Sequence, residues 1–140
     1  MSSPRLICLL MSTIALALAA CRAAPTNVVF EMPDGFTGAF VLRRNAESVS
    51  DWRTRGDTLV VEIKGAATEV RSFEPVEGKY LKYEARLKTG TLIPLVSMAA
   101  AKTHEGIGLF GGSTTSGGEM HFFLGGAKEA VAYFDRLSGK

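Results

Sequence analysis

Cysteine is nearly absent from this sequence: Cys8 and Cys21 are the two it has, and none follows position 21. Whatever folds downstream does so without an intrachain disulfide, so an apolar core must hold it. Charge of one sign is also missing. Lys+Arg number 16 against 14 Asp+Glu, a formal +2, which provides no electrostatic attraction to nucleic acid or acidic substrates. No apolar run is long enough to cross a bilayer: Leu6 to Ala20 is free of charge but falls short of the roughly 20 residues a spanning helix needs. The Gly-x-Ser-x-Gly pentapeptide of serine hydrolases does not occur, and Ser113 and Ser116 sit in a glycine-rich stretch with nothing to lock a nucleophile. "GGSTTSGG", 111–118, lacks the lysine of a phosphate loop and is followed by a strand-like run, so it reads as a hairpin tip.

The N-terminus is the most informative segment. Arg5 is followed by the uncharged run, and small residues then gather at Ala15, Ala17, Ala19 and Ala20, as a signal-peptidase site requires. Leu18, Ala19, Ala20 and Cys21 follow the order Leu, small, small, Cys, which resembles the lipobox of bacterial lipoproteins. The resemblance implies cleavage between Ala20 and Cys21, a diacylglyceryl thioether on the Cys21 sulfur and acylation of the new amine, palmitate being the expected chain. One acyl chain holds a protein only marginally, whereas two or three make a stable anchor. It also places the protein in the bacterial cell envelope, extracytoplasmic and facing the periplasm or on the outer membrane. Arg22 rather than Asp after the cysteine favours the outer membrane by the sorting pattern of enteric lipoproteins. The alternative is an ordinary secretory leader cut after Ala19 or Ala24. The expected organisation is a signal peptide over 1–20, a lipidated cysteine with a short tether over 21–27, and one β-rich domain over 28–140. A tether of that length reaches roughly 20 Å when extended.

From Val28 onward, short strand-like runs are broken by Gly, Pro and Asp, the pattern of a mainly β domain. Val28 to Met32 and Ala39 to Arg44 flank "PDGFTG" and predict a hairpin. Asn45 to Gly56 is polar apart from Trp52 and predicts a loop over the core edge, with strands at Thr58 to Lys64 and Thr68 to Phe73. Leu81, Tyr83, Ala85 and Leu87 alternate with Lys82, Glu84, Arg86 and Lys88, the period of a half-buried strand. Thr89 and Gly90 predict a turn into the next extended run, "TLIPLVSM", where Pro94 cannot donate to a ladder and favours an edge or bulge. Ala99 to Lys102 fits one helical turn or a strand end equally well. Gly106 to Gly111 and Glu119 to Leu124 predict a final hairpin. Ala127, Ala130, Val131, Phe134 and Leu137 then fall at helical spacing, giving an amphipathic C-terminal helix of about three turns. The expected architecture is an antiparallel β-sandwich, prealbumin-like by analogy, with that helix packed on it. "MPDGFTGAFV" and "HFFLGGAKEAVAYF" loosely resemble small uncharacterised bacterial lipoprotein domains, a resemblance that implies no activity.

Candidate chemistry is sparse, and no cofactor motif is present. His104, His121 and Glu119 are residue types that hold catalytic zinc, although their spacing matches no zinc motif. Asp51, Asp57, Glu74 and Glu77 are loop acids of the kind a glycosidase pairs. Arg43, Arg44, Arg53 and Arg55 concentrate positive charge around Trp52, either as a solvated surface or as a patch for anionic headgroups or an anionic envelope polymer. The reading these features favour is a non-enzymatic binding or scaffolding domain, held to the membrane through Cys21 and partnered by an envelope protein or polymer. The alternative is an envelope hydrolase or metal-binding protein using His104, His121 and Glu119.

Overall fold

The computed structural model describes residues 24–114 and 118–140. The leader, the cleavage pair Ala20 and Cys21, and Ser116 lie outside that range. Among the described residues, nine strands form one mixed sheet: β1 (Asn27–Glu31), β2 (Gly38–Arg44), β3 (Arg53–Arg55), β4 (Thr58–Glu62), β5 (Ala67–Val70), β6 (Lys82–Arg86), β7 (Leu92–Val96), β8 (Ile107–Thr114) and β9 (Glu119–Gly126). One helix, α1 (Ala127–Leu137), follows β9 directly. No helix of the described residues is long and apolar enough to cross a membrane.

The strand order is β3-β4-β1-β6-β7-β8-β9-β2-β5. β1 and β2 stand third and eighth in it, yet the Phe30 and Phe40 rings meet at 5.4 Å, so the sheet curls into a half-barrel that closes over its own inner face. β7 is the corner. Its residues 92–94 pair antiparallel with β6, and residues 95 and 96 pair parallel with β8. Pro94 sits at that change of partner, where a residue without an N–H costs the ladder least.

The antiparallel sandwich, prealbumin-like or otherwise, is therefore corrected. β1 runs parallel to both β4 and β6, β2 parallel to β5, and β7 parallel to β8. The cause lies in the connections. After β1 the chain crosses to the opposite half for β2, returns for β3 and β4, crosses again for β5 and returns for β6. Long crossovers of this kind, unlike tight hairpins, allow parallel neighbours; β3 returns antiparallel and turns into β4, which then lies parallel to β1. The hairpin expected across "PDGFTG" does not form; its Pro33 carbonyl accepts from Phe36 N–H in a turn, and the segment carries the chain between halves. The return of Thr68 to Phe73 likewise pairs with β2 and not with β4. The Trp52 segment does cross the core edge, but Arg53–Arg55 beyond it pairs with β4 as a strand. The β6–β7 and β8–β9 hairpins and the helix form where expected. Residues 101–103 make one 3-10 turn.

Both halves send their apolar residues inward. Val28, Phe30, Leu59, Val61 and Ala85 from one half face Phe40, Leu42, Leu109, Phe122 and Leu124 from the other, all buried. Phe30 is central to this layer. Its ring lies edge-on to Phe122 at 4.7 Å and to Phe40 at 5.4 Å, while Phe40 and Phe122, opposite each other on β2 and β9, stack at 5.3 Å. A smaller cluster lies outside the second half, where Phe110, Ala101 and Ala130 are buried beneath α1.

Trp52 and Phe73, both half-buried, close the open side between the edge strands β3 and β5, and the Trp52 indole N–H donates to the Ser72 carbonyl at 2.8 Å. Replacing Phe30 by alanine removes the ring that joins the halves and is expected to lower unfolding stability by about 3–5 kcal/mol. Chemical denaturation monitored by Trp52 fluorescence measures this directly.

Candidate functional site

Of the three residues with zinc-ligand chemistry, the structure brings two together. Glu119 and His121 lie two apart on β9, so period-two geometry puts both on the outer face beneath α1. His104 follows the 3-10 turn at the opposite end of the β8–β9 ladder, where Ile107 pairs with Gly126, whereas His121 pairs with Ser113. Five residues of β9 separate His121 from that end, roughly 17 Å at strand rise. His104 instead lies edge-on to Phe110 at 5.8 Å. Among the described residues, no three of His, Cys, Asp and Glu gather as a metal site.

His121 is 6% exposed and engaged at both ring nitrogens. Nδ1 lies 2.8 Å from the Tyr133 hydroxyl, and Nε2 lies 3.2 Å from Glu119 Oε2. A carboxylate only accepts, which places a ring proton on Nε2; in the neutral ring Nδ1 then accepts from the Tyr133 O–H. Arg43 on β2 adds a contact of 2.8 Å to the other Glu119 oxygen, a half-exposed pair worth about 0–1 kcal/mol. The series Tyr133, His121, Glu119, Arg43 thus ties α1 to β9 and β9 to β2. Tyr133, which makes the helix end of this tie, is not singled out by sequence: it lies outside the apolar stripe Ala127, Ala130, Val131, Phe134 and Leu137, and its partner is set by helix docking.

Gly111 makes the close approach possible. Its φ is +125°, and a Cβ there would run into the His121 carbonyl and meet the Phe134 ring at 3.0 Å. β8 shifts register between Gly111 and Ser113 at the same place. The chemistry available to His121 is therefore that of a structural clamp, with neither ring nitrogen left to bind a metal or to serve as a free base.

The four arginines of the Trp52 region do not form one patch. Arg43 and Arg44 end β2 in the second half, and Arg53 and Arg55 lie on β3 in the first. The loop acids are placed as follows. Asp57 accepts from the Thr26 and Thr58 hydroxyls at 3.0 and 3.2 Å, Asp51 faces Arg71 at 3.9 Å, and Glu74 and Glu77 are exposed on the segment before β6.

An apolar opening lies elsewhere, at the end of the half-barrel where β1 and β6 finish. It is a cleft of about 220 Å³ with Pro33, Phe36, Leu87, Ile107 and Leu124 in its wall and Asp34, Lys88 and Thr89 at its rim. Ile107 is 55% exposed there. The chain enters β1 at the opposite end, where Thr26 N–H donates to Asp57 and Lys82 N–H donates to Thr26.

Comparison with known proteins adds little to this geometry. No protein-family model matches the chain, and no curated protein matches it. Among solved structures, it is similar to a 2.75 Å crystal structure of a protein from Bacillus anthracis provisionally described as a lipoprotein, with 11% identity and a TM-score of 0.43 over 71% of this chain and 70% of that one. A likeness at that level assigns neither family nor function.

The clamp generates a prediction in two parts. Tyr133→Phe removes the donor from a buried acceptor and is expected to cost about 1–2 kcal/mol, read as a lowered midpoint in denaturant. The Tyr133 hydroxyl is held above its ordinary pKa by burial and then by the Glu119 charge beside it. The fold favours the neutral phenol, so this contribution is fully present below pH about 10 and is lost as pH rises through the raised value. Wild type should lose stability above that pH more steeply than Tyr133→Phe.

Proposed function

We propose that this protein is a lipid-anchored envelope lipoprotein whose β domain binds or scaffolds a partner without catalysing a reaction. The observation that carries the anchor is the Leu18-Ala19-Ala20-Cys21 motif behind an uncharged run. Cleavage before Cys21 leaves the domain tethered extracytoplasmically, on the periplasmic side or at the outer membrane, with β1 beginning six residues beyond the acylated cysteine.

Two features of the fold support binding over catalysis. His121, the one buried histidine, has both nitrogens committed to Tyr133 and Glu119. The apolar cleft lies at the end of β1 and β6 remote from the tether, separated from it by a strand of five residues or roughly 17 Å. A tethered domain thus presents that cleft away from its point of attachment. At about 220 Å³ it falls below the size of most small-molecule sites, and suits one or two apolar side chains of an envelope protein.

Cells fed a radioactive fatty acid should label the wild-type protein and not Cys21→Ala; unlabelled wild type overturns the anchor. For the cleft, Ile107→Glu places a charge at an exposed wall position and leaves the core untouched. Crosslinked pull-downs from detergent-solubilised envelope should recover a partner with wild type and lose it with Ile107→Glu. Stoichiometric zinc in the purified protein, lost in His121→Ala, would instead establish the metal-binding alternative.

A further inference from the structure

The two outer faces of the half-barrel differ: α1 covers that of the second half, and no described element covers that of the first. On the bare face three guanidiniums share one carboxylate. Arg53, Arg55 and Arg86 reach Glu31 at 3.0, 3.6 and 3.8 Å. The strands' other charges pair off, Lys82 with Glu84 at 2.9 Å and Lys64 with Glu62 at 3.2 Å, so the arginine cluster contributes two net positive charges, offset in part by Asp57 beside Thr58. Beside the cluster lies a shallow basin lined by Arg55, Arg86, Lys82 and Glu84 over the buried Val29 and Val60, and edged by Leu92, which is 46% exposed. A cluster of guanidiniums beside an exposed leucine suits a surface that offers phosphates with hydrocarbon behind them.

The chain outside the structure says which surface that is. It meets the described residues at Ala24, three residues before Asn27 opens β1, the strand that carries Val29 and Glu31 on this same face. Glu31 is four residues from Asn27, roughly 13 Å along the strand. A tether from Cys21 reaching roughly 20 Å lets the domain lie down on this side. Resting on the lipoprotein reading above, we propose that the outer face of β3, β4, β1 and β6 docks on anionic phospholipid headgroups, and that Arg53, Arg55 and Arg86 make the contact. The domain then lies along the membrane on that face.

The test uses the full-length lipidated protein on vesicles of phosphatidylcholine alone or mixed with phosphatidylglycerol. Hydroxyl-radical footprinting reads Leu92 on the proposed face and Ile107 on the cleft as internal reference. Leu92 reactivity is expected to fall about fivefold on the anionic vesicles, the change that one basic residue near such a surface supports, and to stay unchanged on phosphatidylcholine. Arg53→Glu/Arg55→Glu should abolish the protection, and the milder Arg53→Gln/Arg55→Gln should reduce it. Arg44→Glu/Lys128→Glu, an equal charge change on exposed residues of the other half, should leave it intact. Protein that floats with both vesicles while Leu92 reacts equally on each overturns the orientation alone. Protein that floats with neither overturns the anchor and the orientation with it. Protection of Leu92 by a soluble polyglycerol phosphate but not by anionic vesicles assigns the face to an envelope polymer and overturns the membrane contact.

Discussion

The contact between Phe30 and the Phe40–Phe122 pair is the constraint on which the rest of the fold depends. With no cysteine after position 21, the domain has no covalent closure, and a sheet of nine strands left open would expose its whole apolar face. Phe30 meets the other half with its ring edge toward Phe122 and Phe40, at interplanar angles of 62° and 79°. Edge-to-face geometry sets the positive ring edge against a negative ring face. Phe40 and Phe122 can therefore stack at 17° on each other and still present a favourable surface to Phe30. For this to happen the sheet must bend between β6 and β8, and Pro94 supplies the place. β7 has no ladder bond to donate at that residue, so changing partners there sacrifices little.

Once the sheet has curled, its two outer faces are left with different compositions, and the difference follows from single residues. β8 carries Leu109 inward and Phe110 outward, each fully buried, which is possible only if something covers the outside. α1 does so, beginning directly after β9 and laying Ala130 and its neighbours on Phe110. The tie through Tyr133 and His121 fixes the helix against β9, and Gly111 keeps the backbone clear beneath Phe134. On the first half, Val29 and Val60 are buried as well, but by the stems of flanking charged side chains. Long basic residues cover apolar surface while keeping their heads in water. That face is thus complete as a protein surface and still positively charged.

Strand positions were legible in the sequence, because period-two alternation and Gly or Pro punctuation are local signals. The Leu81 to Lys88 alternation, the turn at Thr89 and Gly90, the β8–β9 hairpin and the three-turn helix all follow from residues close together in the chain. Strand partners were not legible. Six residues of "PDGFTG" between two apolar runs fit a hairpin, and they equally fit a passage between facing halves about 10 Å apart; nothing local distinguishes these. The site divides along the same line. Glu119 and His121 on one face of β9 could be read from their spacing, but the distance from His104 and the contact to Tyr133 depend on pairing and helix docking. The arginines misled for the same reason, since neighbours in sequence, Arg44 and Arg53, belong to opposite halves, while Arg86 joins Arg53 from far along the chain.

The placement of the first strand links these features to a way of working. β1 is central in its half, between β4 and β6, so force or position imposed at its N-terminus passes directly into the core through Phe30 rather than into a peelable edge. An edge strand attached to a tether can be stripped from its sheet one pair of hydrogen bonds at a time, whereas removing β1 requires breaking two parallel ladders and the aromatic contact together. A chain that begins its fold with a strand of this kind is suited to being held at that end. The apolar cleft, formed by the turns that follow β1 and β6, then keeps a fixed relation to the point of attachment, because two parallel neighbours span the distance between them. On the proposed lipoprotein reading, that rigidity fixes the cleft relative to the first strand, whatever the tether does.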